Sequence, residues 1–247
     1  MKAREYHGPD SRTVQRMFAG IAHRYDLLNH LLSASTDRYW RSAAVQKLCD
    51  LLAAAPPSLV LDVCSGTGDL ALTLQRRLGV KVIAADFCHP MLLRAERKFA
   101  ASRADHTIEN IEADTLSLPF RDEIFDAATI AFGLRNLEGP VRGLQELFRV
   151  LKPGGALVIL EFSRPAVPIL RQVFNAYFRH VLPRLGAAIS GEGDAYRYLP
   201  DSVRKFPSQS ELSELLKAVG FHGIAYRNLT GGIAALHWGN RPWTPVA

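Results

Sequence analysis

Apolar side chains recur every third or fourth residue between positions 13 and 32, at Val14, Met17, Phe18, Ile21, Tyr25, Leu28 and Leu31. That rhythm predicts a helix with one apolar stripe, broken near Tyr25 and Asp26. A second helix is expected over 37–55, with Asp37 as N-cap and Pro56–Pro57 as its stop. Beyond Pro57 the pattern changes. The runs SLVLDV (58–63), VKVIAAD (80–86), TIENIEAD (107–114), FDAATIAF (125–132) and GALVILEF (155–162) read as strands, alternating with helical runs at 69–78, 90–101 and 140–151. These strands are continuously apolar, so both of their faces are expected to be buried, and the order predicts an α/β, doubly wound, mostly parallel sheet. LKPGG at 151–155 reads as a helix-to-strand connector. Later, SQSELSELLKAVGF reads as a capped helix, and GIAYRNLTGGIAALHWG as two strands joined by a glycine turn.

Length and composition narrow the class. With 247 residues, 48% of them hydrophobic, the chain suits one domain with a packed core. Its segments are 1–55 (two helices), 56–163 (strand–helix core), 164–201 (an insertion) and 202–247 (a final helix and two strands). Cys49, Cys64 and Cys88 share no CxxC spacing, and the histidines show no HxxxH, so neither a disulfide framework nor a metal site is expected. No signal-peptide pattern and no long apolar stretch stand out, which makes the reducing cytoplasm the expected location. The net charge of +6 is scattered along the chain, and general solvation explains it better than an anionic partner does.

The candidate chemistry starts at VLDVCSGTGDL (60–70), a strand leading through small residues into a helix. In a doubly wound sheet, ligands bind at the carboxyl ends of the strands beside this turn. Gly66, Thr67 and Gly68 allow close backbone approach, and the helix start offers unpaired N–H groups. No GxGxxG and no GxxxxGK[ST] is present, so a dinucleotide or a triphosphate is not indicated. Asp86 ends the second predicted strand 20 residues after Gly66, the separation of a carboxylate that bonds ribose hydroxyls. Asp62, Asp86 and Asp114, with Thr115 beside the last, put carboxylates at three strand ends. They suit a ligand with an amino group, a ribose diol and an adenine amine. S-adenosyl-L-methionine has all three.

The segments MFAGIAHRYDLLNHLLS, WR (40–41), LDVCSGTGDLAL, ADFCHPML, EADTLSLPF, AFGLRN, ELFRVLKPGG, LEFSRP, YRYLPDSV and YRNLTGGIAALHWG together cover almost the whole chain. They resemble the class I S-adenosylmethionine-dependent methyltransferases and, more narrowly, the family that C-methylates the rings of menaquinone and ubiquinone precursors. The resemblance implies a Rossmann-like seven-stranded sheet with N-terminal helices and a helical insertion after the fifth strand. It also implies cofactor contacts at Thr67, Asp86, Asp114 and Thr115. A further contact falls at position 131, where the family commonly has serine and this chain has Ala131, leaving only the backbone for the purpose.

On that reading the acceptor is a polyprenyl naphthoquinol or benzoquinol, with demethylmenaquinol favoured. Arg135 and Asn136 follow the fourth strand, where side chains face the substrate, and are the catalytic candidates. Arginine stays charged, so its expected work is to stabilise a quinolate or orient a water rather than to act as a base. The alternative for Arg135 is a structural ion pair, with Glu161 as the partner. Tyr25, Asp26, Tyr196 and Tyr198 are candidates to cover the ring. The insertion carries Phe174, Tyr177 and Phe178 among arginines, for a prenyl tail at a membrane surface or for ordinary cap packing. Homodimerisation stays open. With no appended RNA-binding module and no NPPY-like stretch, a nucleic-acid or amine acceptor is a weaker alternative, as is a non-catalytic cofactor-binding subunit.

Overall fold

The computed structural model of the chain describes residues 6–33, 35–54, 56–104, 106–165, 172 and 193–243. Within them lie helices α1 (Ser11–Ile21), α2 (Tyr25–Leu32), α3 (Thr36–Leu51), α4 (Asp69–Leu78), α5 (His89–Ala101), α6 (Pro140–Val150), α7 (Gly193–Lys205) and α8 (Gln209–Val219). The strands are β1 (Leu59–Val63), β2 (Lys81–Asp86), β3 (Ile108–Glu112), β4 (Phe125–Ala131), β5 (Leu151–Phe162), β6 (His222–Leu229) and β7 (Ala234–Asn240). They form one seven-stranded sheet in the order β3-β2-β1-β4-β5-β7-β6. The first five are parallel, and β7 runs antiparallel to both β5 and β6. Chain order reverses between β1 and β4, which opens a crevice at their carboxyl ends.

Successive strand residues feed opposite cores. Val60, Val82, Ala127 and Val158 pack with α3 and α4 on one face, while Leu61, Ile83, Ala128 and Leu157 pack with α6 and α8 on the other. Burial on both sides is why the strands read as unbroken apolar runs. The capped helix is α8: the Ser208 hydroxyl accepts the Glu211 N–H, and the Glu211 carboxylate returns to the Ser208 N–H at 2.8 Å.

Four local expectations shift. The break in the first helical stretch falls slightly earlier, as a 3-10 turn at Ala22–Arg24, and α2 begins at Tyr25. Asp37 is not an N-cap; it lies in the first turn of α3, buried, accepting from the Ser33 hydroxyl at 2.7 Å and paired with Arg41. β3 stops at Glu112, leaving Asp114 in the following turn. LKPGG is counted within β5, where an irregularity lets Leu151 pair with Phe125 and Ala156 with Ala127, so four residues bulge out between the two registers. The predicted insertion core, with Phe174, Tyr177 and Phe178, lies outside the described residues.

The turn into α4 depends on Gly68, at φ +80°, where an added Cβ would stand 2.4 Å from the Phe99 ring. Gly79 closes the same helix at φ +66° with open space around it. Gly68→Ala is therefore expected to cost about 2–4 kcal/mol, from left-handed backbone plus overlap, against about 1 kcal/mol for Gly79→Ala. Urea unfolding of the two variants checks the difference; equal losses would mean that the Phe99 contact is not tight.

Candidate active site

A cleft lies at the crevice between β1 and β4. Of the residues singled out from the sequence, Tyr25, Gly66, Asp86, Asp114, Thr115, Ala131 and Asn136 line it. They reach it from α2, the glycine turn, the ends of β2 and β4, and the turns after β3 and β4. Asp62, Thr67, Gly68 and Arg135 are not among the lining residues. Tyr196 belongs to α7, but its side chain lies outside those described.

Asp86 joins two turns. One carboxylate oxygen accepts the Gly66 N–H and the other the Cys88 N–H, both at 2.8 Å. Burial nonetheless outweighs these bonds and pushes the Asp86 carboxyl up to about 6. Asp62 is one residue from the end of β1 and faces the α3–α4 side, where Thr129 donates to it at 2.7 Å. Burial raises it to about 7, with the Asp86 charge adding to the rise. Both carboxyls hold protons in the folded chain that the unfolded chain has already released at the same pH. Their burial thus costs nothing below the ordinary aspartate value and costs stability progressively as pH rises through about 6 and 7.

Thr67 turns away from the cleft. Its hydroxyl donates to Asp26 at 2.5 Å and accepts from Lys98 at 3.2 Å, and Lys98 also meets Asp26 at 2.7 Å and Asp69 at 2.6 Å. Asp69 in turn reaches Arg41 at 3.2 Å. Asp26 is thus a tether between α2 and the glycine turn. Its neighbour Tyr25 stands 3.8 Å from where a Gly66 Cβ would be, and burial raises its phenol above the ordinary value.

Arg135 takes the alternative set out for it. Its guanidinium donates to Glu161 at 2.6 Å and to the Phe132 carbonyl at 2.5 Å, and its backbone N–H donates to the second Glu161 oxygen at 3.2 Å. Both side chains are almost wholly buried, at 5% and 1% residue exposure. Burial opposes the charge, but the Glu161 carboxylate outweighs it and holds the guanidinium protonated. Asn136, next along the 3-10 turn Leu134–Asn136, donates to the Phe132 carbonyl at 3.2 Å and accepts from the Tyr198 hydroxyl at 2.7 Å.

Several lining residues had no signal of their own in the sequence. Val14 and Phe18 belong to the apolar stripe of α1, and periodicity does not tell a stripe facing a core from one facing a cleft. Cys64 and Cys88 also line it; Thr115 sits 3.6 Å from the Cys64 sulfur, and burial pushes the Cys88 thiol up to about 11. Tyr6 donates to the Arg135 carbonyl at 2.8 Å, and nothing in its neighbourhood announced that. Among the described residues, no group of three or more His, Cys, Asp or Glu is placed to hold a metal, and no helix is long and apolar enough to cross a membrane.

The donor set fits an adenosyl amino acid. Around the turn are the Asp86 carboxylate and the buried Ser65 hydroxyl, which has no hydrogen-bond partner. Phe18 and Met91 supply apolar wall. Residues 6–241 match the model of the ubiE/COQ5 methyltransferase family. The chain is 49% identical, over 92% of its length and the whole of the relative's, to a demethylmenaquinone methyltransferase of Thermus thermophilus. It is 47% identical, over 93% of each chain, to one of Deinococcus radiodurans. Among solved structures, the [4+2]-cyclase SpnF superposes with a TM-score of 0.70 over 97% of this chain and 99% of its own, at 17% identity, a likeness of fold alone.

Removing one partner of the Arg135–Glu161 pair leaves a buried charge alone. Arg135→Ala is expected to lose about 3–5 kcal/mol, whereas Arg135→Met with Glu161→Leu should stay within about 1 kcal/mol of the parent. Chemical denaturation of the three proteins decides; a mild loss in the single variant would show that the pair is solvated.

Proposed function

Since the chain belongs to the ubiE/COQ5 methyltransferase family, we propose that it methylates a ring carbon of a polyprenyl hydroquinone, with demethylmenaquinol as the acceptor. S-adenosylmethionine, when bound, supplies the electrophilic methyl carbon. The observation that carries the reading is the cleft at the β1/β4 crevice, where Asp86, Asp114 and Thr115 meet the Asn136 turn under aromatic cover. Asp86 suits the ribose diol, because its carboxylate lines the cleft at the end of β2, held there by backbone N–H groups. Asp114 and Thr115 suit the adenine end.

The acceptor carbon must be electron-rich, and a hydroquinone becomes so as one hydroxyl ionises, near pH ~10 in water. A fixed positive charge in a dry site favours that ionisation. Arg135 stands behind the turn with its charge matched by the Glu161 carboxylate, and what it keeps to offer is its Nε, a buried donor without a partner. Asn136 offers its carboxamide to a quinol oxygen from the cleft wall. Helices α1 and α2 act as a lid over both ligands, held by the Asp26 tether and by the Gln15 amide on the Phe87 carbonyl at 2.8 Å. The prenyl tail of such an acceptor lies in a bilayer, so the working protein meets a membrane surface, which its net charge of +6 favours.

Incubation of the purified protein with cofactor and demethylmenaquinol is expected to yield, by mass spectrometry, a product heavier by one CH₂. A parallel reaction with 2-polyprenyl-6-methoxy-1,4-benzoquinol should turn over more slowly, and the opposite ranking would move the assignment to the ubiquinone branch. Cofactor affinity should rise with pH as Asp86 ionises through about 6. Charge-assisted acceptance of the diol predicts binding about tenfold weaker at about pH 5 than at about pH 7. Calorimetric titration across that range should show the slope, and Asp86→Asn should flatten it; a pH-independent parent would remove Asp86 from the ribose site.

A further inference from the structure

Tyr198 is used by no step above, yet it reaches the candidate catalytic turn from 62 residues away in the chain. Its hydroxyl donates to Asn136 Oδ1 at 2.7 Å, while Asn136 Nδ2 donates to the Phe132 carbonyl at 3.2 Å. A carboxamide has two nearly isosteric flip states. Turned over, this one would set its oxygen against the Phe132 carbonyl, which can only accept, so that carbonyl selects the flip state, and the phenol, by donating to Oδ1, holds the selected carboxamide in place. In that state one Nδ2 hydrogen goes to Phe132, and neither contact uses the other.

The phenol itself is held. Tyr198 belongs to α7, and Phe206, the residue after that helix, takes the Tyr6 ring edge-on at 5.5 Å. Tyr6 in turn donates to the Arg135 carbonyl. Two phenols from opposite ends of the chain thus grip one 3-10 turn, one by its backbone and one by its side chain. Burial pushes the Tyr198 phenol up to about 12, so it remains a donor under working conditions.

We propose that Tyr198 is a positioning residue for methyl transfer: by holding the Asn136 carboxamide through its oxygen, it keeps the free Nδ2–H aimed at the quinol oxygen beside the reacting carbon. This rests on the quinol reading above. An N–H so aimed strengthens as negative charge gathers on that oxygen, so its loss should fall on kcat rather than on binding.

Tyr198→Phe keeps the ring and removes only the hydroxyl. With demethylmenaquinol, it is expected to lower kcat about tenfold while KM and cofactor Kd stay within about twofold of the parent. In an Asn136→Ala background, the same change should add nothing, because the group it positions is gone. Asn136→Asp, which keeps an acceptor for the phenol but presents no N–H, should fall to the level of Asn136→Ala. An unchanged kcat in Tyr198→Phe would overturn the proposal. So would a further full loss on top of Asn136→Ala, or near-parental activity in Asn136→Asp. Each of those leaves parental turnover of the quinol intact and the functional reading standing. A parent protein that binds cofactor and never methylates the quinol would end both.

Discussion

A guanidinium and a carboxylate taken out of water together, Arg135 and Glu161, set the terms for the rest of the site. Either one alone would be very costly to bury; paired, and with Glu161 also accepting the Arg135 and Phe162 N–H groups, they are nearly satisfied. The pair ties the turn after β4 to the end of β5, two neighbouring strands whose backbone ladder already fixes their spacing. Asn136 is held where it is because its neighbour cannot move. The Arg135 guanidinium also lies 5.2 Å from the centre of the Phe162 ring, which packs with Phe132 and Trp40 and keeps water from the back of the turn.

On the far side of the cleft the same logic works with more solvent. Asp26, Thr67, Lys98, Asp69 and Arg41 form a chain of charge and hydroxyl from α2 through the glycine turn to α3. Asp26, Lys98 and Asp69 are only partly buried, so the ion pairs among them are weaker than the Arg135 pair and open to exchange with water. A rigid wall carrying Arg135 and Asn136 therefore faces a looser wall carrying α2. That division suits a site which must open for two ligands and then shut out water.

The buried acidic groups beside the glycine turn are costly for the free protein. Asp62 and Asp86 sit near each other in a poorly solvated place, and both are pushed upward. Such a cost is typical of a site shaped for a ligand's donors rather than for its own stability. The orphaned Asp62 oxygen and Ser65 hydroxyl belong to the same pattern. Thr67 does not: its hydroxyl is spent on the Asp26 tether.

The architecture was legible in the sequence because buried parallel strands and their helices carry their own periodicity. The glycine turn, the bounds of α4 and the final hairpin all follow from local pattern. So did the carboxylate at Asp86, since its place at the end of β2 is set by strand length alone. The sequence by itself therefore determined the layers, the crevice and the chemical type of the ligand. Only the tertiary structure decided which way each polar side chain turns. It spent Thr67 on Asp26, buried Arg135 against Glu161, moved Asp37 from cap to ion pair, and brought Tyr6 and Tyr198 to the same turn. Those contacts join residues far apart in the chain, and their partners are chosen by desolvation and three-dimensional proximity, neither of which leaves a period in the sequence.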